Sequence, residues 1–122
     1  MLVTAVVLAV LLGVMLSSRT DPPLADAIEA LIPNQGDEVL SQSDIGIDLI
    51  SGYTAELTLN GIPIPDSQLR RVDGLNQVTF RPDPGQIIER LQADLNCATA
   101  VYWPLSQGRQ ASRTVNWCFT AS

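Results

Sequence analysis

The chain contains no histidine. That absence removes imidazole general bases, imidazole metal ligands and histidine pH switches together. It also excludes a Ser-His-Asp arrangement, whatever the serines do. Lysine is missing too. All seven basic residues are Arg, against 13 Asp and Glu, giving a formal net charge of −6. An acidic surface repels phosphate, so nucleic acid is excluded as a partner, and so is a polybasic patch on a membrane surface. Arg without Lys reads as a bias towards GC-rich codons, not as a binding signature. Cysteine occurs twice, at Cys97 and Cys118. Two thiols without histidine are too few for a metal centre, and their spacing is not that of a C-x-x-C redox pair. Gly46 and Gly52 are isolated, so no glycine-rich phosphate loop is present. The stretch Asp44-Ile-Gly-Ile-Asp48 supplies too few oxygens for a calcium loop. No cofactor is expected.

Charge is also missing from Met1–Ser18, and Leu2–Leu16 is almost wholly aliphatic. As a helix this run spans about 27 Å, close to the ~30 Å of a hydrocarbon core. Residues 1–18 are expected to form a transmembrane helix or uncleaved signal anchor. A cleavable signal wants a cationic start and a small-x-small site. No Arg or Lys precedes the run, and Leu16-Ser17-Ser18 places a large residue at the −3 position. No Cys follows the run to carry a lipid. Cleavage, leaving a secreted domain, is the alternative. Arg19 by itself favours the opposite topology; cysteine usage outweighs it, as argued below.

Residues 19–33 read as a stem. Asp21 is placed to cap a helix with Pro22 at its first position. Leu24, Ile28 and Leu31 recur at i, i+4 and i+7, predicting a short amphipathic helix over Pro22–Leu31, stopped by Pro33 and Gly36.

From Asn34 the apolar period becomes 2. Ile45, Ile47 and Leu49 alternate with Gly46 and Asp48, and Tyr53, Ala55, Leu57 and Leu59 alternate with Thr54, Glu56 and Thr58. These are half-buried strands. Asn60-Gly61 between apolar runs is a strong hairpin signal, since both positions tolerate positive φ. Pro63 and Pro65 make the returning strand short and an edge. About seven strands are expected: Glu38–Ser41, Ile45–Leu49, Tyr53–Leu59, Ile62–Ile64 with Gln68–Val72 as a weaker partner, Gln77–Arg81, Asn96–Trp103 and Arg113–Thr120. A short helix is predicted over Pro84–Leu91, capped by Asp83 and offering Ile87, Ile88 and Leu91 to the core. The fold class is all-β, a two-sheet sandwich over residues 34–122.

The cysteines test that reading. If the last hairpin is centred between Gln107 and Gly108, Cys97 faces Cys118, Thr99 faces Asn116 and Val101 faces Thr114. Directly opposed, non-hydrogen-bonded antiparallel residues lie close enough for a disulfide. Trp117 and Phe119 then point to the other face, so the bridge lies on the less buried side. A structural disulfide of this kind closes a loop of about 22 residues, stabilising by roughly 3 kcal/mol. It fits a small exported domain in an oxidising compartment.

Candidate contact residues are few. Tyr102 and Trp103 precede Pro104 near a loop, and one of them facing outward would make a binding hot spot. The plainer role for both is sandwich core. Arg70-Arg71 is the one basic pair and could meet an acidic partner; its plainer role is a solvated edge that discourages strand pairing. The carboxylates Asp37-Glu38 and Asp44/Asp48 read as solvated surface, and no catalytic residues are assigned.

With these strands drawn, the chain resembles the bacterial immunoglobulin-like sandwich group. The matching stretches are Pro33…Gly36, Ile45-Gly-Ile-Asp-Leu49, Gly52-Tyr53…Leu57-Thr-Leu-Asn-Gly61 and Thr114-Val-Asn-Trp-Cys-Phe-Thr120. More narrowly it looks like actinobacterial single-pass membrane proteins with an extracytoplasmic domain of this kind. The resemblance implies a fold and a location, and it carries over no catalytic residues. Copper-binding members of related sandwich families use His and Met ligands. This chain has no His and holds Met only at Met1 and Met15, so the resemblance does not bring that function with it.

The expectation is a membrane-anchored, extracytoplasmic, non-enzymatic binding or structural module of the cell envelope. Its expected partners are the membrane and an envelope protein, with the chain as one subunit of a membrane assembly. The alternative is a secreted domain binding a small ligand or glycan through Tyr102 or Trp103. Two exposed, co-facing rings would support that alternative, and burial of both would count against it.

Overall fold

In a computed structural model, residues 25–72 and 74–122 are described. The segment expected to span a membrane, and the Asp21–Leu24 start of the stem helix, lie outside them. No helix among the described residues is long and apolar enough to cross a membrane.

The described chain forms two sheets. One has the order β1(Ile28–Ile32)–β3(Ile45–Leu49)–β7(Gln77–Phe80)–β6(Arg70–Val72). The other has the order β2(Glu38–Val39)–β9(Arg113–Ala121)–β8(Asp94–Pro104)–β4(Tyr53–Leu59)–β5(Ile62–Pro63). The first strand crosses between sheets: β1 runs antiparallel to β3, then Pro33–Gly36 carries the chain over so that β2 runs parallel to β9. With β2 and β5 set aside as short extra edge strands and the other seven lettered A to G in chain order, the four-stranded sheet has the ABED arrangement, and the other extends the CFG arrangement, of immunoglobulin sandwiches.

The alternation expected from the sequence builds the core. Ile45, Ile47, Leu49, Val78 and Phe80 from one sheet meet Ala55, Leu57, Leu59, Ala98, Ala100, Trp117 and Phe119 from the other, all buried. Asn60 (φ 51°) and Gly61 (φ 78°) make the two-residue turn between β4 and β5. That turn is pinned from below. The backbone N–H of Asn60 donates to the carbonyl of Cys97 at 2.8 Å, and its side-chain oxygen accepts from the N–H of Cys97 at 2.9 Å.

Three expectations need correction. The helix expected over Pro22–Leu31 is, where described, a turn at Asp26 and Ala27 followed by the strand β1. Its register shifts between Ile28 and Ala30. This bulge lets Ile28 and Leu31, three apart, both face inward, so a bulged strand reproduces a helical spacing. The sandwich consequently starts at β1, before Asn34. Second, Pro84–Leu91 forms turns and bends. Gly85 sits at φ 89°, a left-handed conformation at the second position of the expected helix, and the N–H of Gln86 closes a turn onto the carbonyl of Asp83 at 3.0 Å. Leu91 is buried and Ile88 packs on the core, but Ile87 is exposed. Third, residues 68–72 do not pair with Ile62–Ile64. One turn of 3₁₀ helix, Asp66–Gln68, carries the chain to the opposite sheet, where β6 pairs with β7. With β1 and β6 counted separately, nine strands are described where about seven were expected.

Candidate functional site

The final hairpin has the expected register: Cys97 opposes Cys118, Thr99 opposes Asn116 and Val101 opposes Thr114. Cys97 and Cys118 form a disulfide with a Cα–Cα separation of 4.1 Å. The bridge lies half-buried on the outer face of the five-stranded sheet, away from Trp117 and Phe119. Its surroundings are already engaged. The N–H of Cys118 donates to the side-chain oxygen of Gln35 at 2.9 Å, and its carbonyl accepts from Gly36 at 2.8 Å. The bridge therefore joins the β8–β9 hairpin where the crossing segment before β2 docks, which is a structural role.

Tyr102 points inward, opposite Ala55, and is buried at 3% exposure. Its ring lies 6.4 Å from that of Tyr53. Trp103 points out of the sandwich, yet it is only 8% exposed. The β8–β9 connection folds back over it. A 3₁₀ turn, Arg109–Ala111, places the Arg109 guanidinium 4.6 Å from the ring centroid. Arg109 is held there by a two-pronged pair with Glu56 of β4. That hydrogen bond and the nearby charge push the Arg109 guanidinium above its ordinary value. Neither ring forms an exposed stacking platform.

Arg70 and Arg71 separate because successive strand residues face opposite ways. Arg70 is exposed. Arg71 opposes Val78, an inward residue, and so lies on the inner face of an edge strand. Its guanidinium crosses to the other sheet and donates to the carbonyl of Ala55 at 3.0 Å and to the Thr54 hydroxyl at 3.3 Å, while pairing with Asp66 at 2.8 Å. Arg71 thereby closes the open side of the sandwich between β6 and β4.

The acids do not converge. Asp44 pairs with Arg81 at 2.7 Å, which raises the Arg81 pKa from its ordinary value. Asp37 accepts from the N–H of Asn34 at 3.0 Å within a turn. Among the described residues no group of three or more His, Cys, Asp or Glu side chains is placed to hold a metal ion.

What the loops do bring together is one end of the sandwich. The Ala25–Ala27 lead-in, the β3–β4 turn, the β6–β7 turn and the β8–β9 connection meet there. Ile50 donates to Ala27 at 2.9 Å, Leu49 to Asn76 at 3.1 Å, and Leu105 to Gly52 at 2.8 Å. Between the lead-in and the β8–β9 connection is a groove of about 580 Å³, bounded by Asp26, Tyr53, Tyr102, Gln107, Gln110 and Arg113. A smaller groove of about 300 Å³ lies on the other side of Tyr53, between Arg71, Val72, Asn76 and Leu105. The grooves offer hydrogen-bonding groups and three charges, Asp26 and Arg113 in the larger and Arg71 in the smaller. Tyr53 and Arg109 were not singled out from sequence. The available signals were Gly52-Tyr53 at a turn, and Gly108-Arg109 where a loop can double back.

The chain matches no protein-family model and no curated protein. It is similar in structure to PcoC, a methionine-rich copper resistance protein from Escherichia coli, with a TM-score of 0.55, 15% identity, and coverage of 79% of this chain and 97% of that one. A second structure, selenomethionine PcoC, gives a TM-score of 0.50 at 14% identity, covering 78% and 98%. At this identity the likeness shows a shared β-sandwich fold. The donor set does not extend to copper held by methionine or histidine. The described residues contain neither, and both cysteines are consumed in the disulfide.

Proposed function

We propose that this chain is a non-enzymatic binding or structural module of the cell envelope, working outside the cytoplasm and held at the membrane by residues 1–18. The observation that carries this reading is the Cys97–Cys118 disulfide, in register on the outer face of a small β-sandwich. Such a staple belongs to domains that fold in oxidising compartments. The apolar, uncharged Met1–Ser18 supplies a route there and a tether. Membership of the actinobacterial single-pass group is part of the same reading.

The working surface is the loop cluster around Tyr53 and Arg113, and the partner is a protein of the same membrane assembly. Loops grouped at one end of a rigid sandwich are where such domains place recognition. Burial of Tyr102 and covering of Trp103 count against the alternative of a glycan-binding domain that stacks sugars on those rings. The test is crosslinking in native membranes followed by recovery of the full-length chain. A discrete partner whose crosslinks map to the Ala25–Ala27, Tyr53 or Gln107–Arg113 segments is expected. Recovery of the chain alone, across several mild detergents and crosslinker lengths, would remove the reading.

A further inference from the structure

Large apolar side chains are exposed at both ends of the sandwich, and the two ends differ in their distance from the chain's apolar start. At the end where the described chain begins, Leu75 is 62% exposed in the β6–β7 turn and Leu105 is 63% exposed in the β8–β9 connection. Val72, also exposed, lines one groove with Leu105 and Asn76. At the far end are Leu40, 73% exposed, and Leu95, 57% exposed.

Only six residues, Arg19–Leu24, separate Ala25 from the uncharged run Met1–Ser18. Fully extended they reach at most about 20 Å. Ala27 is hydrogen-bonded to Ile50 in the same loop cluster. The Leu75/Leu105 end is thus confined near any membrane that residues 1–18 enter, and the Leu40/Leu95 end is a sandwich's length away.

We infer that Val72, Leu75 and Leu105 form a lipid-facing foot that rests in the interfacial layer of the bilayer. This rests on the anchoring proposed above and deepens it, because it fixes which end of the domain meets the membrane. The occupant of the patch is the lipid interface itself. Charged groups around it are of mixed sign: Arg71 lines the groove with Val72 and Leu105, and Asp26 and Arg113 line the adjacent one. The contact is therefore apolar, and zwitterionic lipid suffices. Shallow burial of a few apolar side chains among headgroups is the mode used by interfacial segments. A foot of this kind occupies the side lined by Val72 and Leu105 and leaves the neighbouring groove, lined by Asp26, Gln110 and Arg113, free for a protein partner.

The experiment uses the full chain in phosphatidylcholine vesicles, with single reporters Leu75→Trp, Leu105→Trp, Leu40→Trp and Leu95→Trp. All four positions are exposed, so the core is untouched, and an intact Cys97–Cys118 bridge on a non-reducing gel reports folding. The emission of each introduced Trp, taken as the difference from the parent chain with its native Trp103 and Trp117, is compared in ordinary and acyl-brominated lipid. Trp at 75 and 105 is expected to lose about half its emission, as for a ring roughly 5–10 Å into the headgroup and acyl boundary, with Trp at 40 and 95 unchanged. No quenching at 75 and 105, in a chain that stays with the vesicles through an alkaline wash, overturns the foot and leaves the anchor standing. Equal quenching at all four positions overturns the orientation. Release of the chain by the wash overturns the anchor, and the foot with it.

Discussion

At the scale of single residues, polar side chains that look ordinary in the sequence govern how the sandwich closes. Asn96 is fully buried. Its side-chain oxygen accepts from Asn60 at 2.9 Å and from the N–H of Gln92 at 3.2 Å, while its amide donates to the carbonyl of Gln92 at 2.9 Å. One side chain thus ties the β4–β5 turn to the lead-in of β8. Replacing Asn96 by Ala leaves buried donors and acceptors without partners, and a buried orphan costs about 1–3 kcal/mol each way. The Asn96→Ala protein is expected to unfold at lower urea, with an unchanged slope; an unchanged midpoint would show that water replaces the side chain at no cost. Nothing in the sequence marked Asn96, since a buried Asn and a solvated strand Asn look alike until the neighbouring turn is placed. Arg81 and Arg109 are the other partnered residues of note. Their pKa values are raised, so the guanidinium side of each pair stays charged through the neutral and alkaline range and is lost only above its ordinary value. They bring no pH dependence near neutrality.

At the scale of elements, the legible parts were those whose geometry is local. The Asn60-Gly61 turn and the facing of Cys97 and Cys118 follow from two-residue periodicity and from the hairpin centre between Gln107 and Gly108. The illegible parts depended on distant partners. The β1 bulge places Ile28 and Leu31 on one side because β3 lies beside it, and period alone reads that as a helix. The sheet that β6 joins is decided by the Asp66–Gln68 turn, which swings the chain away from β5. Arg71 illustrates the gap: its edge position was expected, its inward reach to Ala55 was not. Inward charge on an edge strand protects an open side from pairing with another chain. An Arg71→Val substitution is therefore expected to lower stability by no more than about 1–2 kcal/mol, the scale of a lost charged hydrogen bond, and to raise self-association in sedimentation velocity runs. A strictly monomeric variant would show that the Ala55 edge needs no seal.

The disulfide acts on the same scale. It links residues 21 positions apart in one hairpin and touches none of the core. Removing it should change the unfolded chain more than the folded one. The double variant Cys97→Ala, Cys118→Ala is expected to keep the sandwich and lose about 2–4 kcal/mol of unfolding free energy. Retained amide dispersion with a lowered urea midpoint checks both halves of that statement. Loss of fold would mean that the bridge organises the crossing segment at Gln35–Gly36 as well as closing the hairpin.

At the scale of the whole molecule, location is the property on which the proposed function turns, and the disulfide makes it measurable. The bridge lies on the outer face of its sheet and is half-buried, so a small reductant reaches it without unfolding the core. If the domain folds outside the cytoplasm, Cys97 and Cys118 are oxidised in living cells, because glutathione and thioredoxin keep cytosolic thiols reduced. Intact cells or spheroplasts treated with a membrane-impermeant maleimide should give no labelled chain. After a brief pulse of an impermeant reductant, the same maleimide should label both cysteines. Two failures are separable. Free thiols in cells alkylated before lysis place the domain in a reducing compartment. A bridge that is oxidised but reducible only after lysis places it behind a membrane that the reagents do not cross. Only the first result would detach the sandwich from the envelope, since it removes the compartment in which a hairpin staple of this kind persists.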